Sequence, residues 1–404
     1  MAAEPAAGAE PMPEADAARA GVGAARTGAG AARAGAALSE PGTMGSGGTT
    51  VLPSVAGLSH KETFGVVMAA LAERGDELAV VVSDYGRRLG LDRLRALAPE
   101  AVVQCGIAEQ NQMEVACALA NEGFRVFVPA YATFATARVA DQLRVCLGMM
   151  RAPMAVVGVS CGCEAGILGA SHMALEDVAL MRSIPGVEVI CPTDVEEFAE
   201  VLADLASRPR PAYVRMNDGD GVGSAAGCHA VEGPAAGCHA GPGPAAGGGA
   251  AGQSQAGAAP LRAQAAEIAG RSGASRVLLR ADGTPDAVLL ALGTMAPRAL
   301  EAGRLLAERG VSCEVRAVSH VSPLELDDVA TRARLVVTVE EHGPVGGLGS
   351  AVAEQLAARE AAPALLALSL PGRYLEADTR DALLGRAGLS PEGIAESVLA
   401  RLRR

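Results

Sequence analysis

Aromatic residues are scarce in this chain: its 404 residues include no tryptophan, four tyrosines and five phenylalanines. An aromatic side chain placed among polar residues therefore stands out. Positive charge is also in short supply, with 34 Lys and Arg against 46 Asp and Glu and a net charge of −12. That balance argues against a nucleic-acid partner, which favours a basic face. No apolar run approaches the length of a membrane span, and the first residues lack the continuous apolar core of a secretory signal. The chain reads as soluble and cytoplasmic, with no membrane partner. Its early arginines make a weak transit-peptide pattern, which Glu4, Glu10, Glu14 and Asp16 spoil with the wrong charge. The nine cysteines form no paired framework and most sit in apolar runs, so they read as reduced core thiols. Large apolar side chains are too few in residues 1–50 and 217–275 to bury anything. So little apolar area cannot offset the entropy of ordering a chain, and both stretches read as disordered.

The remainder alternates between two periods. "HKETFGVVMAALAERG" places apolar residues at helical spacing, and "ELAVVVSD" is a short β-rich run. The helix after Gly106 follows, then the strand "RVFVPA", the helix "TARVADQLRVCLGMM", the strand "PMAVVGVS", the helix "ALEDVALMRSI", the strand "VEVICP", the helix "DVEEFAEVLADLA" and the strand "PAYVRM". Continuous apolar strands between amphipathic helices imply a mostly parallel sheet covered on both faces. This gives an α/β domain over 55–216 and, after the low-complexity insert, a second α/β domain over 276–404. In the second, "SRVLLRADGTPDAVLLALG" reads as a hairpin leading into "RALEAGRLLAERG", "SCEVRAVSH", "ARLVVTVEEH" and "GSAVAEQLAAR".

Ligands of α/β sheets gather beyond the carboxyl ends of the strands. The polar and aromatic residues expected there are Asp84, Glu109, Tyr131, Phe134 and His172. Each has an ordinary structural explanation when taken singly: a cap, a helix-starting carboxylate favoured by the dipole, packed aromatics, a satisfied histidine. "AAGCHA" occurs at 225–230 and again at 235–240. Cys and His are zinc ligands, but nothing around these pairs could hold a tetrahedral shell, and a tandem duplication is the simpler reading.

The segments "GIAEQNQMEVACALANEGFRVFVPAYATF", "RVADQ", "GASHMALEDVALMRSIPGVEVICPTDVEE" and "PAYVRM" resemble the pyrimidine-binding domain of transketolases and deoxyxylulose-phosphate synthases. "VVTVEEHGPVGGLGSAV" resembles the signature of their C-terminal domain. The resemblance implies a thiamine diphosphate enzyme in which Glu109 bonds a ring nitrogen of the cofactor's aminopyrimidine. Phe134 then stacks on that ring with Tyr131 nearby, and Asp84 lies close to the cofactor's middle. His172 would contact the sugar hydroxyls and assist proton movement, and Arg215 would be left to bind the substrate.

The departures from the family pattern carry equal weight. The diphosphate-binding domain carries Gly-Asp-Gly and a later Asn for the metal. Here the only such tripeptide, Gly219-Asp220-Gly221, follows the pyrimidine domain and has no suitable Asn after it. After "YVRM", Asn217 and Asp218 stand where the family often has a second phosphate-holding Arg. An acid there puts a phosphosugar acceptor in doubt. The expectation is the C-terminal subunit of a split transketolase, transferring a two-carbon ketol unit from a ketose to an aldehyde, with sugar or sugar-phosphate substrates. A separate N-terminal subunit would supply the diphosphate site and the Mg2+ ligands, in an α2β2 assembly where this chain also pairs with itself. The alternatives are the beta subunit of a 2-oxo acid dehydrogenase and a non-catalytic stabilising or regulatory partner.

Overall fold

The computed structural model describes residues 53–84, 89–217, 275–281, 283–326 and 332–403. The readings made for residues 1–50, for the two Cys-His pairs, for Asp218 and for Gly219-Asp220-Gly221 lie outside the described residues. Helix α1 (His60–Glu73) begins on Ser59, whose hydroxyl accepts from the Glu62 N–H while the Glu62 carboxylate accepts from the Ser59 N–H. This reciprocal cap satisfies two of the donors that a helix start leaves open. The strands β1 (Leu78–Val82), β2 (Val102–Gln104), β3 (Arg125–Tyr131), β4 (Met154–Val159), β5 (Glu188–Ile190) and β6 (Ala212–Met216) follow. Between them run α2 (Asp92–Leu97), α3 (Glu109–Asn121), α4 (Ala132–Ala135), α5 (Ala140–Leu143), α6 (Asp177–Arg182) and α7 (Val195–Ser207).

These strands pair in parallel in the order β5-β6-β4-β3-β1-β2. Their side chains divide by alternation. Ala79 and Val81 of β1, with Val126 and Val128 of β3, face a core filled by Met113, Ala116 and Ala120 of α3. Leu78, Val80, Val82 and Phe127 face the opposite core, built on Phe64 and Met68 of α1 and Phe198 and Leu202 of α7. Both faces are covered, as uninterrupted apolar strands require. From β1 the chain steps outward to β2 and then back across to β3 on the other side. That reversal opens a crevice at the carboxyl ends of β1 and β3, where open α/β sheets hold ligands.

The second sheet contains β7 (Arg276–Leu279), β8 (Ala287–Leu292), β9 (Cys313–Val318), β11 (Leu335–Val339) and β12 (Ala364–Leu368) in the order β12-β11-β8-β9-β7. Its helices are α8 (Ala296–Glu308), α9 (Leu348–Ala357), α10 (Arg380–Arg386) and α11 (Pro391–Leu402). The architecture is therefore two mostly parallel sheets with helices on both sides. The hairpin expected from "SRVLLRADGTPDAVLLALG" does not form: β7 runs antiparallel to β9, and β8 lies between β9 and β11. All six residues of β8 are buried while β7 is partly exposed, so the interior position goes to β8 and the edge to β7.

The second half of the chain also donates a strand to the first sheet. β10 (His320–Ser322) pairs antiparallel with β5 at the sheet edge. Val288, Leu290 and Leu292 of β8 join the same core as Val128 and Met113. The two sheets thus share one continuous apolar interior as well as a strand.

Candidate active site

Glu109 is the first residue of α3 and only 5% exposed. A buried carboxylate at a helix start gains from the unpaired backbone N–H groups there. Its Oε2 accepts a hydrogen bond from Arg138 Nη1 at 2.9 Å. The Arg138 guanidinium also lies over the Phe134 ring, 4.0 Å from the centroid. Phe134 and Arg138 are four residues apart. The Phe134 ring stands 5.3 Å from His172 and 6.0 Å from Tyr131, and Tyr131 and His172 are themselves 5.3 Å apart, all at steep interplanar angles. Three rings that meet edge to face, topped by a cation and joined to a carboxylate, form one cluster beyond β2, β3 and β4.

Local structure explains how these side chains arrive there. The expected helix "TARVADQLRVCLGMM" is interrupted: α4 ends at Thr136, whose hydroxyl donates to the Ala132 carbonyl at 2.6 Å, and a π-helical turn over 144–149 follows α5. Arg138, just past the break, reaches Glu109. His172 lies in a loop closed at its base by the Gly162–Ala174 bridge, with N–H to O=C distances of 3.0 and 2.9 Å. Gly162 has φ +62°, and a Cβ there would come within 2.5 Å of the Glu341 side chain. The Ser171 hydroxyl lies 3.0 Å from His172 Nδ1.

Gln112, which the sequence reading passed over, pins the start of α3. Pro129 has no N–H to offer the neighbouring strand. The fully buried Gln112 side-chain amide instead donates to the Val81 carbonyl at 2.8 Å and to the Pro129 carbonyl at 3.2 Å. One turn from Glu109, it bridges β1 and β3 where their ladder stops.

Two of the expected site residues stand outside the ring cluster. Asp84, two residues past the carboxyl end of β1, is exposed and lines an open cavity of about 730 Å³ with Asp92, Arg95 and Gln104. Arg215, expected to hold substrate, is buried. Its Nε and Nη2 donate to the two oxygens of Asp177 at 2.8 and 2.9 Å, and Nη2 also donates to the Glu341 carbonyl at 3.1 Å. The reason is the apolar floor of the sheet: β6 is covered on both faces, and an inward-pointing guanidinium there needs an internal counter-charge. Burial pushes the Asp177 carboxyl up, but the Arg215 guanidinium outweighs it and holds the group below its ordinary range, with Tyr213 donating to it at 2.7 Å.

Glu341 behaves alike. Burial opposes its charge, Arg380 beside it prevails, and its carboxyl stays low. It accepts from the Cys163 N–H at 2.8 Å and from Asn217 Nδ2 at 3.3 Å. The neighbouring Glu340 receives the N–H groups of Leu348 and Gly349 at the start of α9, at 2.6 and 2.8 Å. The "VEEHGPVGGLG" segment therefore ties the second sheet to the loops beneath the ring cluster.

Among the described residues the cysteines are free, no group of His, Cys, Asp and Glu could hold a metal ion, and no helix is long and apolar enough to cross a membrane.

Residues 56–220 match the transketolase pyrimidine-binding domain and residues 276–394 the transketolase C-terminal domain. The chain belongs to the transketolase family. A protein of Methanocaldococcus jannaschii, provisionally described as a transketolase C-terminal section, is 27% identical over 344 residues, covering 85% of this chain and 96% of its own length. One of the subunits of the apulose-4-phosphate transketolase of Phocaeicola vulgatus is 27% identical over 350 residues, covering 86% of this chain and 98% of its own. A 1-deoxy-D-xylulose-5-phosphate synthase of Synechococcus is 30% identical over 352 residues, and there the match spans 48% of the relative. Among solved structures, a split-gene transketolase in an inactive beta4 tetramer superposes with a TM-score of 0.66 at 26% identity, covering 85% of this chain and 98% of that one. The chain thus corresponds to the C-terminal, or beta, subunit of a split transketolase. These relatives favour that reading over a 2-oxo acid dehydrogenase subunit.

The family implies thiamine diphosphate, and the ring cluster suits the aminopyrimidine end of it. A nearly buried carboxylate can bond a ring nitrogen, and a half-buried phenylalanine offers a flat apolar surface without polar demand.

Proposed function

We propose that this chain is the pyrimidine-binding subunit of a thiamine diphosphate-dependent transketolase that moves glycolaldehyde units from a ketose to an aldehyde. The observation that carries the proposal is the meeting of Glu109, Arg138, Phe134, Tyr131 and His172 in one cluster. When bound, the cofactor supplies a carbon nucleophile for cleavage beside the ketose carbonyl. Glu109 would hold or release a proton at a ring nitrogen, with Arg138 fixing the direction of its carboxylate. Phe134 and Tyr131 would orient the ring. His172, with Nδ1 turned to Ser171, would move a proton at a substrate hydroxyl.

The diphosphate and its Mg2+ would be held by a separate subunit in an α2β2 assembly, in which this chain also pairs with itself. Relatives described as one subunit of a transketolase and as a split-gene tetramer support that division of labour. In the same reading the pyrimidine-binding domain spans 55–216, the C-terminal domain spans 276–404 and the complex is cytoplasmic.

Glu109→Gln tests the assignment. The amide can accept a hydrogen bond but cannot take the proton, so turnover of the two-chain enzyme should fall by about 10²–10⁴-fold. The melting temperature should hold. Near-normal turnover would remove Glu109 from the chemistry.

A further inference from the structure

His172 stands on a segment, 161–173, that leaves the sheet after β4 and is closed at its base by the Gly162–Ala174 bridge. Every member of the ring cluster comes from the first half of the chain, yet this segment rests on the second half as well. One anchor is local: Lys61 of α1 donates to Glu164 at 3.0 Å. Others cross to the second sheet and its helices. Beneath the base, Glu341 accepts from the Cys163 N–H at 2.8 Å and from the Cys163 thiol at 3.1 Å, and its side chain fills the space that a Cβ on Gly162 would take. Further along, the Gly166 carbonyl accepts from the Asp378 N–H at 3.2 Å. A Cβ on Gly166 would come within 2.5 Å of both the Asp378 carbonyl oxygen and the Leu383 side chain.

Glu341 is itself fixed. It is 1% exposed and accepts from Arg380, the first residue of α10, through Nε at 3.0 Å and Nη2 at 2.6 Å, and from Asn217 Nδ2 at 3.3 Å. A buried carboxylate so fully engaged keeps one orientation, because rotation would break several charge-assisted bonds where water does not replace them. The two places that receive the segment, the turn at Glu341 and the start of α10, are thereby locked to each other. A shift at that junction passes along the segment to His172. A proton-moving group is sensitive to such a shift, since a displacement of about 1 Å can cost about 10²-fold in rate.

We infer that Glu341 is a positioning residue for His172, and that the second domain acts on the chemistry by holding the His172 segment. The inference rests on the proposed role of His172 and adds the group that sets its position.

The test is a double-mutant cycle in the two-chain enzyme, with xylulose or its terminal phosphate ester as donor and glyceraldehyde as acceptor. Glu341→Asp keeps a charge for Arg380 but draws the carboxylate back from Cys163 by one methylene. Gly166→Ala pushes the segment off α10 and leaves the ion pair intact. Each is made alone and together with His172→Ala. Alone, each should lower kcat by about 10–100-fold. Cofactor affinity, read by calorimetry, should be unchanged, because Glu109 and Phe134 lie outside the segment. Combined with His172→Ala, each should cost at most about twofold more, as expected of groups that act through one another. Melting temperatures confine the comparison to folded protein, and Gly166→Ala, which strains a loop, carries the cycle if Glu341→Asp does not fold. Equal losses with and without His172, a parallel loss of cofactor affinity, or full turnover by folded variants would overturn the role of Glu341. Full turnover by His172→Ala alone would overturn it too, by removing His172 from the chemistry. Absence of ketol transfer by the wild-type pair with cofactor bound would instead defeat the transketolase reading on which the inference rests.

Discussion

At the scale of single residues, the buried charges divide between candidate chemistry and the fastening of the fold. Glu109 keeps its partner, Arg138, at a partly exposed position, so that pair contributes little to stability. Asp177 and Arg215 are sealed from water and bonded through two oxygens. Removing one member of such a pair strands the other, at a cost of about 3–5 kcal/mol. Asp177→Asn should destabilise the protein by that order at neutral pH. Burial and then Arg215 act on Asp177 with a net lowering, and burial and then Arg380 do the same for Glu341. A carboxyl whose folded pKa is depressed contributes stability that is complete above the ordinary carboxylate range. It is lost as pH falls through that range toward the folded value. Thermal melts of wild type and Asp177→Asn should therefore draw together on acidification. A constant offset between them from neutral to acid pH would show that Asp177 contributes no linked proton.

At the scale of elements, the alternation of strands and helices was legible because the strands are short apolar runs buried on both faces. β1 and β4 contain only apolar residues and glycine. Pairing partners were not legible. Nothing in "RVLL" says that it will join β9 as an edge, since that choice follows from β8 filling the interior place. The three residues of β10 carry no periodic signal, yet they cross to the other sheet. Rarity of aromatics and family resemblance pointed to Phe134, Tyr131, His172 and Glu109. Arg138 and Gln112 escaped notice because their importance lies in tertiary contacts, although the spacing from Phe134 to Arg138 was open to view. Gln112 shows how an element is positioned by a single side chain. Gln112→Leu leaves the Val81 and Pro129 carbonyls without this donor, a loss of about 1–3 kcal/mol by the cost of unsatisfied buried groups. It should also let the start of α3 drift and reduce turnover more than stability alone explains. A folded Gln112→Leu protein with full activity in the two-chain enzyme would contradict its positioning role.

At the scale of the whole molecule, the shared core and the exchanged strand make the two sheets one scaffold. Its crevice carries groups suited to the aminopyrimidine. Large apolar side chains stand exposed in loops of this scaffold, with Ile107 at 73%, just before Glu109, and Ile167 at 67%, in the loop that carries His172. Such residues near Glu109 and His172 accord with a surface that a second subunit covers. If a separate subunit holds the diphosphate and Mg2+, cofactor binding needs two kinds of chain. Calorimetric titration of thiamine diphosphate with Mg2+ is the direct measurement, made on this chain alone and on its mixture with the diphosphate-binding subunit. The lone chain should give negligible heat. The mixture should bind tightly and only with magnesium, with a rise in melting temperature that follows cofactor concentration. Tight magnesium-dependent binding by the lone chain would contradict that division between subunits.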